Sequence, residues 1–108
     1  MTSSKFENAE DQKLEVLARA TLRRTGATQA AALRDSTGRT YVARNISLKS
    51  LSLDAVEAVF TVAMASQIEE IEAVVIVGNG LINLKPVREH TSGTHIWIVN
   101  QDGEIESL

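Results

Sequence analysis

The 108-residue chain contains no cysteine. That excludes disulfides, thiolate nucleophiles and thiolate metal sites. Histidine is nearly absent too, with only His90 and His95. A hydrolytic zinc needs three protein ligands and one open position for water, so two histidines fall short of an ordinary site. Aromatics make up 4% of the residues, which leaves the core to alanine, valine, leucine and isoleucine. The one proline is Pro86. Basic residues are not in excess. The net charge of -3 provides no electrostatic footprint for nucleic acid, and no nucleic-acid partner is expected. No apolar run is long enough to span a bilayer, so no membrane partner is expected either. Met1 to Asp11 is polar and carries no signal-peptide core. In the absence of an export signal the expected location is the cytoplasm.

What is present suits one compact folded domain. Hydrophobic residues make up 44% of the chain, and a domain of this size can bury a core without disulfides or metal. Residues 1–7 read as a flexible tail, and residues 8–108 as the domain. From about Asn8 to Thr25, Leu14, Leu17, Ala18 and Leu22 recur at helical spacing. Acidic Glu10 and Asp11 lead that segment, basic Arg23 and Arg24 end it, and Gly26 closes it. Arg23-Arg24 is too short for a nucleic-acid patch and reads as a helix terminus. Two strands follow, Thr28 to Arg34 and Arg39 to Asn45, joined by the turn Asp35-Ser36-Thr37-Gly38. The alanine-rich strand calls for a helix pressed close against it.

Ser47 to Leu53 is a connector, and a second helix runs from Asp54 to about Ser66. Asp54 and Glu57 have the spacing of a capping box. This helix is apolar on nearly all sides and should be covered on more than one face. Val74 to Val77 is the β-branched run of a buried strand. Val77-Gly78-Asn79-Gly80 lacks the further glycines and the lysine of a phosphate loop and reads as a turn. Leu81 to His90 is punctuated by Pro86. His95 to Asn100 is a further strand, Asp102-Gly103 a tight turn, and Glu104 to Leu108 a short final strand. One mixed sheet with helices packed on it satisfies this order.

Three segments together carry a resemblance. Ala30-Ala31-Ala32-Leu33-Arg34-Asp35 with Gly38-Arg39-Thr40-Tyr41-Val42-Ala43 is similar to the opening hairpin of the cytidine deaminase family. Asn45-Ile46 with Leu53-Asp54-Ala55-Val56-Glu57 resembles its loop and second helix, and Ile98 to Gly103 its last strand pair. The resemblance implies an α/β three-layer sandwich, a mixed sheet with packed helices, truncated near the C-terminus. In that family a Cys or His at the start of the second helix binds zinc, and a Glu two residues later shuttles the proton. A later Pro-Cys-x-x-Cys supplies the remaining ligands. The starts of two helices converge on the metal.

Here the motif fails at several points. If Asp54 stands for the ligand, the shuttle position is Val56; if Ala55 does, Glu57 keeps the shuttle position and the ligand is lost. Pro86-Val87-Arg88-Glu89-His90 matches Pro-Cys-x-x-Cys only at its proline, and Val87 cannot bind metal. The zinc expected for the family therefore lacks its ligands, and no cofactor is expected. Glu57 is the one catalytic candidate, with capping of the helix as its simpler role. Asp54, His90 and Glu89 are candidates for a substitute metal site, set against a helix cap and exposed loop residues. Asn45 matches the family's ribose-contacting Asn, and the acidic residue expected two positions on is Ser47. Asn45, Asp54 and Pro86 frame the expected ligand site. Tyr41 and Trp97 could stack on a base, but such side chains more often fill a core.

Beside a purely structural or interaction module whose surface, not its pocket, matters, two functional readings stay open. One is a degenerate, inactive cytidine deaminase-like protein that binds a nucleoside-like ligand or a protein. The other is a hydrolase of altered chemistry, using Asp54, Glu57 and His90 with a different metal. The apolar second helix, together with the resemblance, points to a homodimer or homotetramer.

Overall fold

The computed structural model describes residues 6–108. Residues 1–5 of the expected tail lie outside the described part. Phe6 is half-buried and packs edge to face on Trp97, with ring centroids 5.6 Å apart.

Helix α1 (Ala9–Thr25) forms where the helical spacing places it. Asn8 caps its start, its side chain accepting from the amides of Glu10 and Asp11. Gly26 ends it in the left-handed conformation, at φ 66°, and donates to the Leu22 carbonyl. Strands β1 (Gln29–Asp35) and β2 (Thr40–Arg44) form the hairpin. In its turn Asp35 Oδ1 accepts from the amides of Thr37 and Arg39 and from the Thr37 hydroxyl. Burial alone would raise the Asp35 pKa, but these donors outweigh it and hold the carboxyl below its ordinary value.

The connector after β2 contains a small ribbon, β3 (Ile46–Ser47) paired with β4 (Ser52–Leu53). Helix α2 (Ala55–Ala65) follows, and β5 (Ile71–Gly78) is the central strand. Helix α3 (Lys85–His90) is six residues long and leads to β6 (His95–Val99) and β7 (Ile105–Ser107). The main sheet has the order β2-β1-β5-β6-β7, parallel only at β5-β6. No helix of the described residues is long and apolar enough to cross a membrane.

The sheet separates two cores, which makes the three layers. On one face Ala30, Ala32, Ala73, Val75 and Val77 meet Leu14 and Ala18 of α1. The small alanine side chains let α1 lie close, and a bulkier residue there would overpack the interface. On the other face Ala31, Leu33, Val74 and Ile76 meet Ala55, Val56, Val59 and Ala63 of α2 and Val87 of α3. The pairing of β1 with β5 shifts between Arg34 and Asp35, which leaves Glu72 as an extra residue and turns Ile71 toward α2. Glu72 reaches back to the Arg34 guanidinium, which also binds Asp11 at 2.8 Å. Desolvation opposes the charge on Arg34, but its bonds to Glu72 and Asp11 prevail and raise its pKa. Tyr41 packs against the α2-side core and Trp97 against the α1-side core, so both serve packing. Cover on α2 is incomplete, because Val62 remains 43% exposed.

Candidate functional site

The first turn of α2 meets the chain that leads into α3. This is the convergence of helix starts on which a deaminase-like site would stand. At Asp54 the side chain caps α2: Oδ1 accepts from the Glu57 amide at 2.8 Å. Glu57 Oε1 returns the bond to the Asp54 amide at 2.9 Å, completing the capping box. The second oxygens of both carboxylates turn to Asn83. Its amide N–H donates to Asp54 Oδ2 at 2.7 Å, and its Nδ2 donates to Glu57 Oε2 at 3.1 Å. The Asp54 amide, and after it the Asn83 side chain, lower the Glu57 pKa. A carboxyl held ionised in this way is a poor proton donor at neutral pH.

Gln29, at the start of β1, supplies the other half of the site. It is 3% exposed. Its Oε1 accepts from the Ala55 amide, the first N–H of α2, at 2.6 Å. Its Nε2 donates to the Asn79 carbonyl at 3.0 Å and reaches the Leu81 carbonyl at 3.5 Å. Asn45 faces the same strand end. Its Oδ1 accepts from the Gln29 amide at 3.2 Å, and its own amide donates to the Gln29 carbonyl at 3.2 Å. Asn45 thus closes the β1-β2 pair. Gly78 makes this close packing feasible: a Cβ there would lie 2.2 Å from the Thr28 carbonyl oxygen, and φ is +99°.

The remaining candidates do not join this cluster. Pro86 stands in the first turn of α3, where its missing N–H costs nothing. Val87 is fully buried in the α2-side core, and Glu89 is exposed. His90 ends α3, with Nδ1 at 2.8 Å from Thr91 Oγ1 and its ring edge-on to Phe60 at 6.1 Å. Asp54 bonds Glu57 and Asn83 whereas His90 bonds Thr91, so the two share no hydrogen-bond partner. Ala55 and Val56, which decide the register of the family motif, are both fully buried.

The residues present do not fit a zinc ion. Val87 offers no donor atom, and the carboxylates of Asp54 and Glu57 already serve backbone and Asn83 donors. Among the described residues no group of three or more His, Cys, Asp or Glu is placed to hold a metal ion.

The residue types singled out in the sequence did not include Gln29 or Asn83. Asn83 carried only a turn signal: its Oδ1 accepts from the Lys85 amide at 3.1 Å, one residue ahead of the cap Leu84. Gln29 carried none beyond being a polar residue that opens an alanine run.

A family model described as Cytidine deaminase-like matches residues 7–103. No curated protein matches the chain. Among solved structures, the cytidine deaminase from Burkholderia pseudomallei is similar at TM-score 0.75 and 17% identity, with 90% of each chain covered. The cytidine deaminase from Mycobacterium leprae has TM-score 0.63 and 20% identity, covering 89% of this chain and 91% of that one. The cytidine deaminase from Bacillus anthracis has TM-score 0.68 and 16% identity, covering 94% of this chain and 83% of that one. Identities this low speak for the fold alone.

Proposed function

The chain belongs to the cytidine deaminase-like family, and on that premise we propose that it is a non-catalytic member that acts by binding. The observation that carries this reading is the self-saturation of the site. Both oxygens of Asp54, both oxygens of Glu57 and the carboxamide of Gln29 are engaged by the chain's own groups. Glu57 has no activated water to serve, because water without a metal keeps its high pKa.

Of the two kinds of partner, a protein is better supported than a nucleoside-like molecule. The nucleoside reading rests on Asn45, whose Oδ1 is occupied by the Gln29 amide. A protein contact is supported by α2, whose outward residues Thr61, Val62 and Ala65 are exposed beside half-buried Phe60 and Met64. Self-association as a homodimer or homotetramer is the alternative use of this face.

Purified protein is expected to carry no stoichiometric zinc and to leave cytidine and deoxycytidine unchanged. Near one zinc per chain, or turnover lost in Glu57→Ala, overturns the non-catalytic reading. Cytidine at millimolar concentration should leave the melting temperature in place, since only a ligand that binds the folded state raises it. A concentration-dependent rise would restore the nucleoside reading. Sedimentation yielding only an 11.7 kDa species would sink self-association.

A further inference from the structure

A groove of about 490 Å³ lies between the last turn of α1, the outer edge of β2 and α2. Its apolar wall includes Val42, Ile46, Leu53 and Val62. Leu51 also lines it and is 48% exposed. The adjacent strand edge is open. Backbone bonds from Asp35 to Arg39 and from Asn45 to Gln29 mark the odd-numbered residues of β2 as those that bond to β1. The N–H and C=O groups of Thr40, Val42 and Arg44 therefore point away from the sheet.

The charge around this groove has one sign. Arg24 and Arg44 line it, and no carboxylate does. Between Leu17 and Ser50 the only acidic residue is Asp35, while Arg19 is paired with Glu15 and Arg34 with Asp11 and Glu72, which leaves Arg24 and Arg44 as the charges that line the groove. Asp35 is buried and committed to its turn. Edge cations alone would be explained as protection against edge-to-edge pairing. That role does not account for an apolar groove with exposed Leu51 and Val62 beside the same edge.

We propose that this groove binds an extended segment of a partner protein in which apolar residues alternate with carboxylates, added as a strand on β2. The open backbone groups bond the main chain of the segment. Alternate apolar side chains fill the groove, and the carboxylates meet Arg24 and Arg44. This inference rests on the reading that the chain acts through protein contacts, and it names the chemistry of the partner.

The probe is a fluorescein-labelled, end-capped peptide of alternating glutamate and valine, followed by anisotropy. Its counterparts are the lysine-valine peptide and an acidic peptide interrupted by proline, which cannot donate a ladder bond. The wild-type chain should bind the acidic peptide saturably and neither counterpart. Affinity should fall about tenfold between about 50 and about 300 mM salt. The pair R24E/R44E should weaken binding by about tenfold or more. Lys85→Glu, on α3, should leave it within about twofold. Far-UV circular dichroism confirms that each variant is folded. Equal binding of the lysine-valine peptide, no effect of R24E/R44E, or no binding of the acidic peptide overturns the proposal. So does sedimentation in which R24E/R44E dissociates a homo-oligomer that excludes the peptide, because the groove is then a contact between copies. None of these outcomes touches the non-catalytic reading, which falls only to zinc content or cytidine turnover.

Discussion

Replacing Gln29 with alanine should destabilise the fold by about 3 kcal/mol, although the residue lies in no hydrophobic cluster. The carboxamide answers three backbone groups: the Ala55 N–H and the carbonyls of Asn79 and Leu81. Ala55 is fully buried, so its N–H would be left without a partner, at about 2 kcal/mol. The two loop carbonyls can turn toward water and add about 1 kcal/mol together. The space left by one methylene and the amide adds about 1.5 kcal/mol. Against this, the variant is spared about 1.5 kcal/mol of glutamine side-chain entropy lost on burial. For a domain of this size the net corresponds to a melting temperature about 10–15 °C lower. Gln29→Met separates the terms, since it fills the space and removes only the polar partners; it should still cost about 3 kcal/mol. Urea unfolding followed by far-UV circular dichroism measures both variants. Either variant lying within about 0.5 kcal/mol of wild type would refute the idea that Gln29 is the keystone of the closed site.

Other expectations follow from the same bonds. The carboxyls of Asp35 and Glu57 both sit below their ordinary pKa in the folded chain, so each stabilises above the unfolded value of about 4. That contribution is lost as pH falls through the lower folded value, and Asp35→Asn with Glu57→Gln should flatten the fall in urea midpoint between about pH 5 and pH 3. Arg34→Leu leaves buried Asp11 unpaired and should cost about 3–5 kcal/mol, much of it recovered in the double variant with Asp11→Leu; a double variant no better than the single one would count against an isolated buried charge as the cause. Gly78→Ala places a Cβ against the Thr28 carbonyl at φ +99° and should cost about 2 kcal/mol or more by thermal denaturation.

The frame of this fold was legible where short-range physics decides it. The Gly26 stop, the Asp54–Glu57 box and the Asp35–Gly38 turn each follow from residues within four positions of one another. The alanine run announced a close helix because small side chains serve that purpose on both faces of β1. Helix α3 was less legible. It is under two turns, its cap Leu84 offers no side-chain bond, and Pro86 reads equally as a break or as a first-turn residue. The early start of β5 was hidden by the extra residue Glu72, which interrupts the alternation before Val74. The site itself was half legible. Asp54 and Glu57 were found with the roles they have, while Gln29 was missed, because its partners lie 26 and 50 residues away and leave no periodic trace.

The location of the buried polar defects bears on how the site should be understood. An enzyme site that had simply decayed would leave orphaned groups where its ligands once converged, since buried polar atoms are costly unless paired. Among the described residues the buried side-chain atoms without a partner are Arg34 Nη1 and Trp97 Nε1. Arg34 binds Asp11 of α1, and Trp97 packs in the α1-side core, so both belong to the far face of the sheet. At the convergent starts of α2 and α3 the substitutions are mutually consistent. Val87 extends the apolar core, Asn83 joins the two carboxylates, and Gln29 caps the first N–H of α2. Such agreement among residues distant in sequence is what a refitted structural joint requires. It makes the joint a stabilising element in its own right.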